Sequence, residues 1–504
     1  MNYLFFIVML PLLASLVVSF IPGSQTKAIR SVTLVASGVS AILSLVAFCA
    51  FQFDGGLQFE TKWVWVESLG LNFHLGADGI NIGIIFMGAV VSFAAVCCAN
   101  DITHRIKEFY ILLNIMIGGV LGAFASMDLF FFYFFHELAL VPTFIMIGVW
   151  GRGQTRNYAA YKITLYLSFG ALLALIGLIG VYVQADADSF SIPDLIAKVK
   201  SQSIDESAQQ WIFPLLMFGF GILVSLWPFH TWAPLGYGAA PTATAMLHAG
   251  VLKKFGLYGL IRIAIPMAPI GAQNWLGILA WLALANLLFC GLVAVRQRDL
   301  NLLIGNSSVA HMGFIFLGIA SLNVIGLTGA VLVMIAHGLL AALAFGLSGH
   351  LYQQNGSLDM SQMGGLLRKM PLAGTALLMA MMAGCGLPGF ANFAGEITIF
   401  FGAWSAGFKV ITVIAAWSAL VIGGLYMLRA IRNILHGQQS SAWEKSKDTS
   451  PLVTTAFGLL LALLLVFGFA PGLLTKGIEI EVKKIVHLVN PGIGGPKQLD
   501  VVAK

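Results

Sequence analysis

Charge is what this sequence has least of. Only 10% of its 504 residues are Asp, Glu, Lys or Arg, against 59% that are hydrophobic. No water-soluble domain of this length covers its surface with so few charges, which excludes a soluble enzyme and leaves no room for a soluble catalytic domain. Cysteine is scarce as well. The five present, Cys49, Cys97, Cys98, Cys290 and Cys385, all fall inside apolar runs, where they behave as small hydrophobes. Their spacing suits neither a disulfide framework nor a metal or iron–sulfur ligand set. No glycine-rich dinucleotide fingerprint follows a strand, so neither NAD nor flavin has a legible site here. The opening run MNYLFFIVMLPLLASLVVSF lacks the basic start and small-residue cleavage site of a signal peptide, and reads as a first, uncleaved span.

Apolar runs of about 20 residues, the length a hydrocarbon core of about 30 Å demands of a helix, are what the sequence has in abundance. They recur from end to end with no long polar block, so residues 1–504 read as a single all-α polytopic membrane domain. Counting gives about fourteen spans, centred near Leu12, Val35, Met87, Met116, Leu140, Leu173, Gly221, Val251, Leu284, Ile315, Ile335, Pro388, Val421 and Leu461. The loops sort by charge. Lys27, Arg30, Arg105, Lys107, Arg152, Arg156, Arg296, Arg298, Arg368, Lys369, Arg429, Arg432, Lys445 and Lys447 share one side. Asp54, Glu60, Glu67, Asp186, Asp188, Asp194, Asp205 and Glu206 mark the other. The positive-inside rule makes the basic side cytoplasmic, and an even number of spans then puts both termini outside. The net charge of +6 reports topology, not nucleic-acid binding.

The stretch from Trp211 to Arg262 organises the rest. One apolar run there is interrupted at Trp227-Pro228; the next opens at Pro241-Thr242 and carries Lys253 and Lys254 near its middle. A charge at the helix centre costs about 2.5–3.5 kcal/mol on insertion scales, so such a lysine points to a proton or ion path. A broken helix beside it survives only where it is buried in protein or lines a wet cavity. A second interruption, Gly386-Leu387-Pro388-Gly389, precedes a deep carboxylate, Glu396. Glu137 also lies deep in a span, where an ionised carboxylate needs a partner or must keep its proton. His311 and His337 fall at mid-span; a lone histidine there is often a hydrogen-bonded core residue, but imidazole titrates near neutral pH, as a relay member must. Other features have bland readings. Asp78-Gly79 reads as a helix-start cap, the aromatic wall Phe130 to Phe135 as packing, Arg152 and Arg156 as topology anchors, and Lys162 and Lys253 as able to snorkel.

The motif Pro228-Phe229-His230-Thr231-Trp232, followed by the proline-opened helix containing LHAGVLKKFGLYGLIR, resembles the antiporter-like proton-pumping subunits of respiratory complex I. The likeness extends to Leu75–Asn81, Arg298-Asp299-Leu300, Ser307–Gly313 and Met334–Gly338. Within that family it is most similar to the M type of NADH-quinone oxidoreductase: the acid at Glu396, where other types carry lysine, and the short tail after the last span both point there. The resemblance implies two inverted repeats of five helices, 106–266 and 274–436, with broken helices near Pro228 and Pro388. The N-terminal spans 1–105 precede them, and a last span with its tail, 437–504, follows.

It also implies a relay of Glu137, Lys254, His311, His337 and Glu396, in which a cytoplasmic proton held on Lys254 passes through His311 and His337 to Glu396 and leaves outside. The family usually has a lysine where this chain has Leu223, as the charge partner of Glu137. His136, His230 and His248 are the candidates to compensate, with His248 ahead of His230 because it occupies the span itself, and His248, His230 and Lys253 join the relay candidates. His248 and Lys254, six residues apart, lie about 240° apart around a helix and do not share a face. NAD, FMN, iron–sulfur clusters and quinone are expected in partner subunits, with none in this chain. L-type and N-type neighbours are the expected partners and a bacterial inner membrane the expected location. The rival readings are a multisubunit cation/proton antiporter, a hydrogenase-linked membrane subunit, and a structural spacer with a degraded pump. The deep charges speak against the spacer.

Overall fold

Polar residues at the edges of apolar runs decide where helices begin. Asp128, Asp205, Asp299 and Asn323 each accept a hydrogen bond from a free backbone N–H in the first turn that follows. The computed structural model describes residues 2–490. Its helices are α1 (Tyr3–Phe20), α2 (Thr26–Ala50), α3 (Asn81–Cys97), α4 (Ile106–Ala125), α5 (Leu129–Trp150), α6 (Arg156–Gln184), a short α7 (Ile192–Ser201) and α8 (Glu206–Val224). Then come α9 (Trp232–Ala239), α10 (242–267), α11 (Pro269–Arg296), α12 (Leu300–Ala320), α13 (Val324–Asn355), α14 (Pro371–Gly384) and α15 (Ala391–Ser405). The last are α16 (Lys409–Leu435), α17 (Pro451–Phe469) and α18 (Gly472–Val489).

Among the described residues, twelve helices are long and apolar enough to cross a membrane, where about fourteen were expected. The difference lies in the pieced elements. The α8–α9 connection, 225–231, starts from Ser225 in a left-handed conformation, and α14 and α15 are parted at 385–390 by Gly386 and Gly389, both with positive φ. The stretch α10 is helical throughout but alternates α turns with π turns at His248–Leu252 and Leu260–Ala264. Further π turns interrupt α11 at Asn286–Cys290 and α16 at Ser418–Gly423.

One element departs from the all-helical outline. Gln58–Val66 (β1) and Leu71–Ala77 (β2) pair antiparallel in the loop after α2, turning at Gly70 with φ 64. The alternating aromatic and β-branched residues of QFETKWVWV suit a half-exposed strand, and this is local information that the long apolar runs on either side overshadowed.

The two ends of the bundle differ in charge. At one, Arg152 pairs with Asp101 at 3.0 Å, Arg30 donates to the Ile102 carbonyl at 3.0 Å, and Arg429 donates to the carbonyl of Gln297. The hairpin, the start of α1 and the end of α18 gather at the other. Tyr3 packs edge-on to Phe59, Lys484 donates to the Gly55 carbonyl, and Gln273 donates to the Val489 carbonyl at 2.7 Å. Both ends of the described chain therefore lie with the acidic loops. The innermost helices are α3, α10, α12 and α13; every residue of α10 is buried, and α13 is buried over nearly its whole length.

Candidate functional site

Lys254 lies two residues past the end of a π turn. In an unbroken α-helix the Lys253 N–H would bond to Ala249; here it bonds to the His248 carbonyl, at 3.0 Å. The Ala249 carbonyl instead accepts from the Lys254 ammonium at 2.5 Å. Lys254 is 0% exposed, and its Nζ lies 3.0 Å from Nδ1 of His337 on α13. The His337 ring is 5.4 Å, centroid to centroid, from that of His311 on α12. His311 Nδ1 stands 2.7 Å from the carbonyl of Ser307, the geometry of a donated N–H, which leaves Nε2 as the acceptor in a neutral ring.

Nε2 faces the Oε1 atom of Glu396 on α15 across 3.8 Å, too far for a direct hydrogen bond. Beside this gap lies a cavity of about 20 Å³ lined by His311, Glu396, Cys385, Ser418 and Tyr426, among others. One water needs about 10–15 Å³ on such a measure, so a bridging molecule fits. Glu396 Oε1 has no protein hydrogen-bond partner, and a bridge would supply one. Tyr426, from α16, reaches Ser307 Oγ at 3.1 Å and so braces the residue that holds His311.

Four expected relay members therefore stand in one row, in the order Lys254, His337, His311, Glu396. The two histidines are reversed from the order expected above, because chain order says nothing of which of two packed helices, α12 or α13, meets α10. The row sets proton donors and acceptors in sequence, with a direct contact at Lys254–His337 and the steps at His337–His311 and His311–Glu396 left to ring motion or a bridging water.

The other candidates lie off the row. Lys253 points a different way from its neighbour, with Nζ 3.4 Å from Ser308 Oγ and 5.6 Å from the Tyr237 ring centroid. His248 stacks on Trp232 and meets Tyr237 edge-on, and its Nδ1 has no hydrogen-bond partner. His230 packs edge-on against Phe289. Leu223 is buried in α8. Glu137 sits at the flank with its side chain 33% exposed, beside a cavity of about 40 Å³ shared with Ile163, Thr164 and Ser168 of α6. Its basic neighbour is His136, with Nδ1 3.4 Å from Oε1.

Some contacts have no signal in the sequence. Asp78 caps α3, accepting from the Ile80 N–H at 2.9 Å, and also pairs with Arg262 of α10, which bonds the Tyr258 hydroxyl at 3.2 Å. The cap is legible from local spacing. The ion pair joins residues 184 positions apart and is not.

Residues 126–423 match the family model described as NADH:quinone oxidoreductase/Mrp antiporter, transmembrane. The chain is 32% identical to NAD(P)H-quinone oxidoreductase chain 4 1 of Synechococcus elongatus over 97% of its own length and 92% of the relative's. It is 30% identical to NADH-quinone oxidoreductase subunit M of Rickettsia prowazekii, over 92% and 94%. Among solved structures it superimposes on a chain of respiratory complex I from Thermus thermophilus with bound NADH, with TM-score 0.87 and 27% identity, covering 97% of this chain and 100% of that one. A chain of the Mrp complex from Dietzia sp. shares the fold at TM-score 0.83 and 20% identity, over 97% and 98%.

Proposed function

Because the chain belongs to the NADH:quinone oxidoreductase/Mrp antiporter membrane family, we propose that protons cross it along the row Lys254, His337, His311, Glu396. The protein is a multi-pass, proton-translocating membrane subunit of complex I type, and its oxidoreductase activity is that of the assembled enzyme. The 3.0 Å approach of the Lys254 ammonium to His337 carries the reading of the row. A spacer has no use for an ammonium with 0% exposure, whose removal from water must be offset by the groups around it.

Moving one charge against 100 mV costs about 2.3 kcal/mol, so an external drive is obligatory. We assign that drive to partner subunits holding NAD, FMN, iron–sulfur clusters and quinone, with L-type and N-type subunits as neighbours in the membrane. The proposed setting is a bacterial inner membrane with the acidic end outward and both termini on that side. Residues 106–266 and 274–436 are read as two repeats. The fourth pass of each is split, α8–α9 and α14–α15, and the fifth carries a π turn, which supports that division.

Lys254→Ala or Glu396→Gln in the assembled complex tests the assignment, with proton uptake by inverted vesicles followed during NADH oxidation. Both variants are expected to assemble and to lose most coupled proton uptake. Normal assembly with pumping like the parent's in both would refute the row.

A further inference from the structure

Glu137 and His136 are adjacent on α5, and neighbours on a helix point about 100° apart. The pair therefore reaches from the flank of the bundle to its interior: Glu137 is one-third exposed beside its cavity, and His136 is 2% exposed. The imidazole lies flat against Phe255, with centroids 3.9 Å apart and an interplanar angle of 21°. Phe255 is the residue next to Lys254. Among the described residues neither His136 Nδ1 nor Glu137 Oε1 has a hydrogen-bond partner, and the two atoms lie 3.4 Å apart. Leaving two buried polar atoms unpaired costs about 1–3 kcal/mol each, a cost a pure packing role would shed by substituting an apolar pair. The titratable groups around the ring are Glu137 and Tyr133 on its own helix and, across on α10, His248, on which the charges of His136, Lys253 and Lys254 all act.

We propose that His136 is a proton carrier that joins Glu137 at the flank to the lysine end of the row. The Glu137 carboxyl O–H gives its proton to the His136 Nδ1 lone pair, leaving a carboxylate beside an imidazolium. The imidazolium then releases its Nε2 proton towards the lysine end of the row, leaving the neutral Nδ1–H tautomer, and a half-turn of the ring about Cβ–Cγ restores an unprotonated nitrogen facing Glu137 for the next proton. No bond other than O–H and N–H changes. The cavity beside Glu137, at about 40 Å³, has room for the water that would reload the carboxyl. This role rests on the row at Lys254 carrying protons, and it is filled by a side chain that the charge patterning of α8, with Leu223, does not supply.

Two variants of the assembled complex test it in the same vesicle assay. His136→Phe keeps the stack on Phe255 and removes the titratable nitrogen; His136→Gln keeps hydrogen bonding and removes titration. A positioned proton carrier is worth about 10²–10⁴-fold in rate, and since water can partly replace it we expect coupled pumping to fall at least about tenfold in both, with an altered pH profile. Lys254→Ala is the control. If it pumps poorly while either His136 variant pumps like the parent, His136 is not a carrier. If Lys254→Ala itself pumps like the parent, the row fails first. Failure of both His136 variants to assemble assigns the residue to packing and overturns the proposal as well.

Discussion

Glu396 owes its position to a glycine ten residues earlier. A Cβ on Gly386 would lie 2.7 Å from Glu396 Oε2, and Gly386 holds φ +67, a left-handed conformation that costs other residues about 1–2 kcal/mol. Gly389 is a natural control: its φ is also positive, +102, but a Cβ there would meet only the Phe469 ring at 3.4 Å. Gly386→Ala is therefore expected to depress pumping by displacing a carboxylate it does not alter, whereas Gly389→Ala carries strain without touching the acid. Vesicle assays on both, normalised to assembled complex, check this; equal losses would mean that strain alone is being measured. At this scale the sequence was informative about which residues matter and silent about their neighbours. Lys254 and Glu396 stand out because charge is expensive in an apolar run. That His337 and not His311 meets Lys254, and that His136 turns inward while Glu137 lies at the flank, depends on helix rotation and packing, which no local pattern encodes.

Helix interruptions divide into legible and illegible kinds. The splits at 225–231 and 385–390 are announced by Pro228, Pro388 and the flanking glycines, residues whose backbone preferences end a helix wherever they occur. The π turns carry no such mark, since HAGVL reads as ordinary helix. Yet the turn at His248–Leu252 is what frees the Ala249 carbonyl for the lysine. A π turn amounts to a one-residue insertion in an α-helix, so deleting Gly250 should restore regular α geometry and rotate Lys254 by about 100° relative to the preceding turn. The helix would survive and the contact with His337 would not. Coupled pumping is expected to collapse in this variant as it does in Lys254→Ala, with the complex still assembled. Retained pumping would show that the lysine finds its partner without the π turn.

For the molecule as a whole, the direction of transport depends on which end of the bundle faces the cytoplasm. The basic residues converge at one end, around the Arg152–Asp101 pair and Arg429, while the hairpin and both described chain ends lie at the other. The charge difference between the two ends was legible because it is written in short loops as a count of Lys and Arg, and packing only gathers those loops. Moving a cation across the bilayer during insertion is costly, so the expected arrangement has the basic loops inside. Cysteines introduced singly into a Cys49→Ser background, to remove the exposed native thiol, provide the test. Glu67→Cys in the hairpin loop is expected to react with a membrane-impermeant maleimide added to intact cells after the outer barrier is opened. Arg298→Cys should react only in inverted vesicles. The reverse pattern would turn the molecule over, and with it the row would take protons from outside and deliver them in, against the direction a proton-pumping enzyme requires.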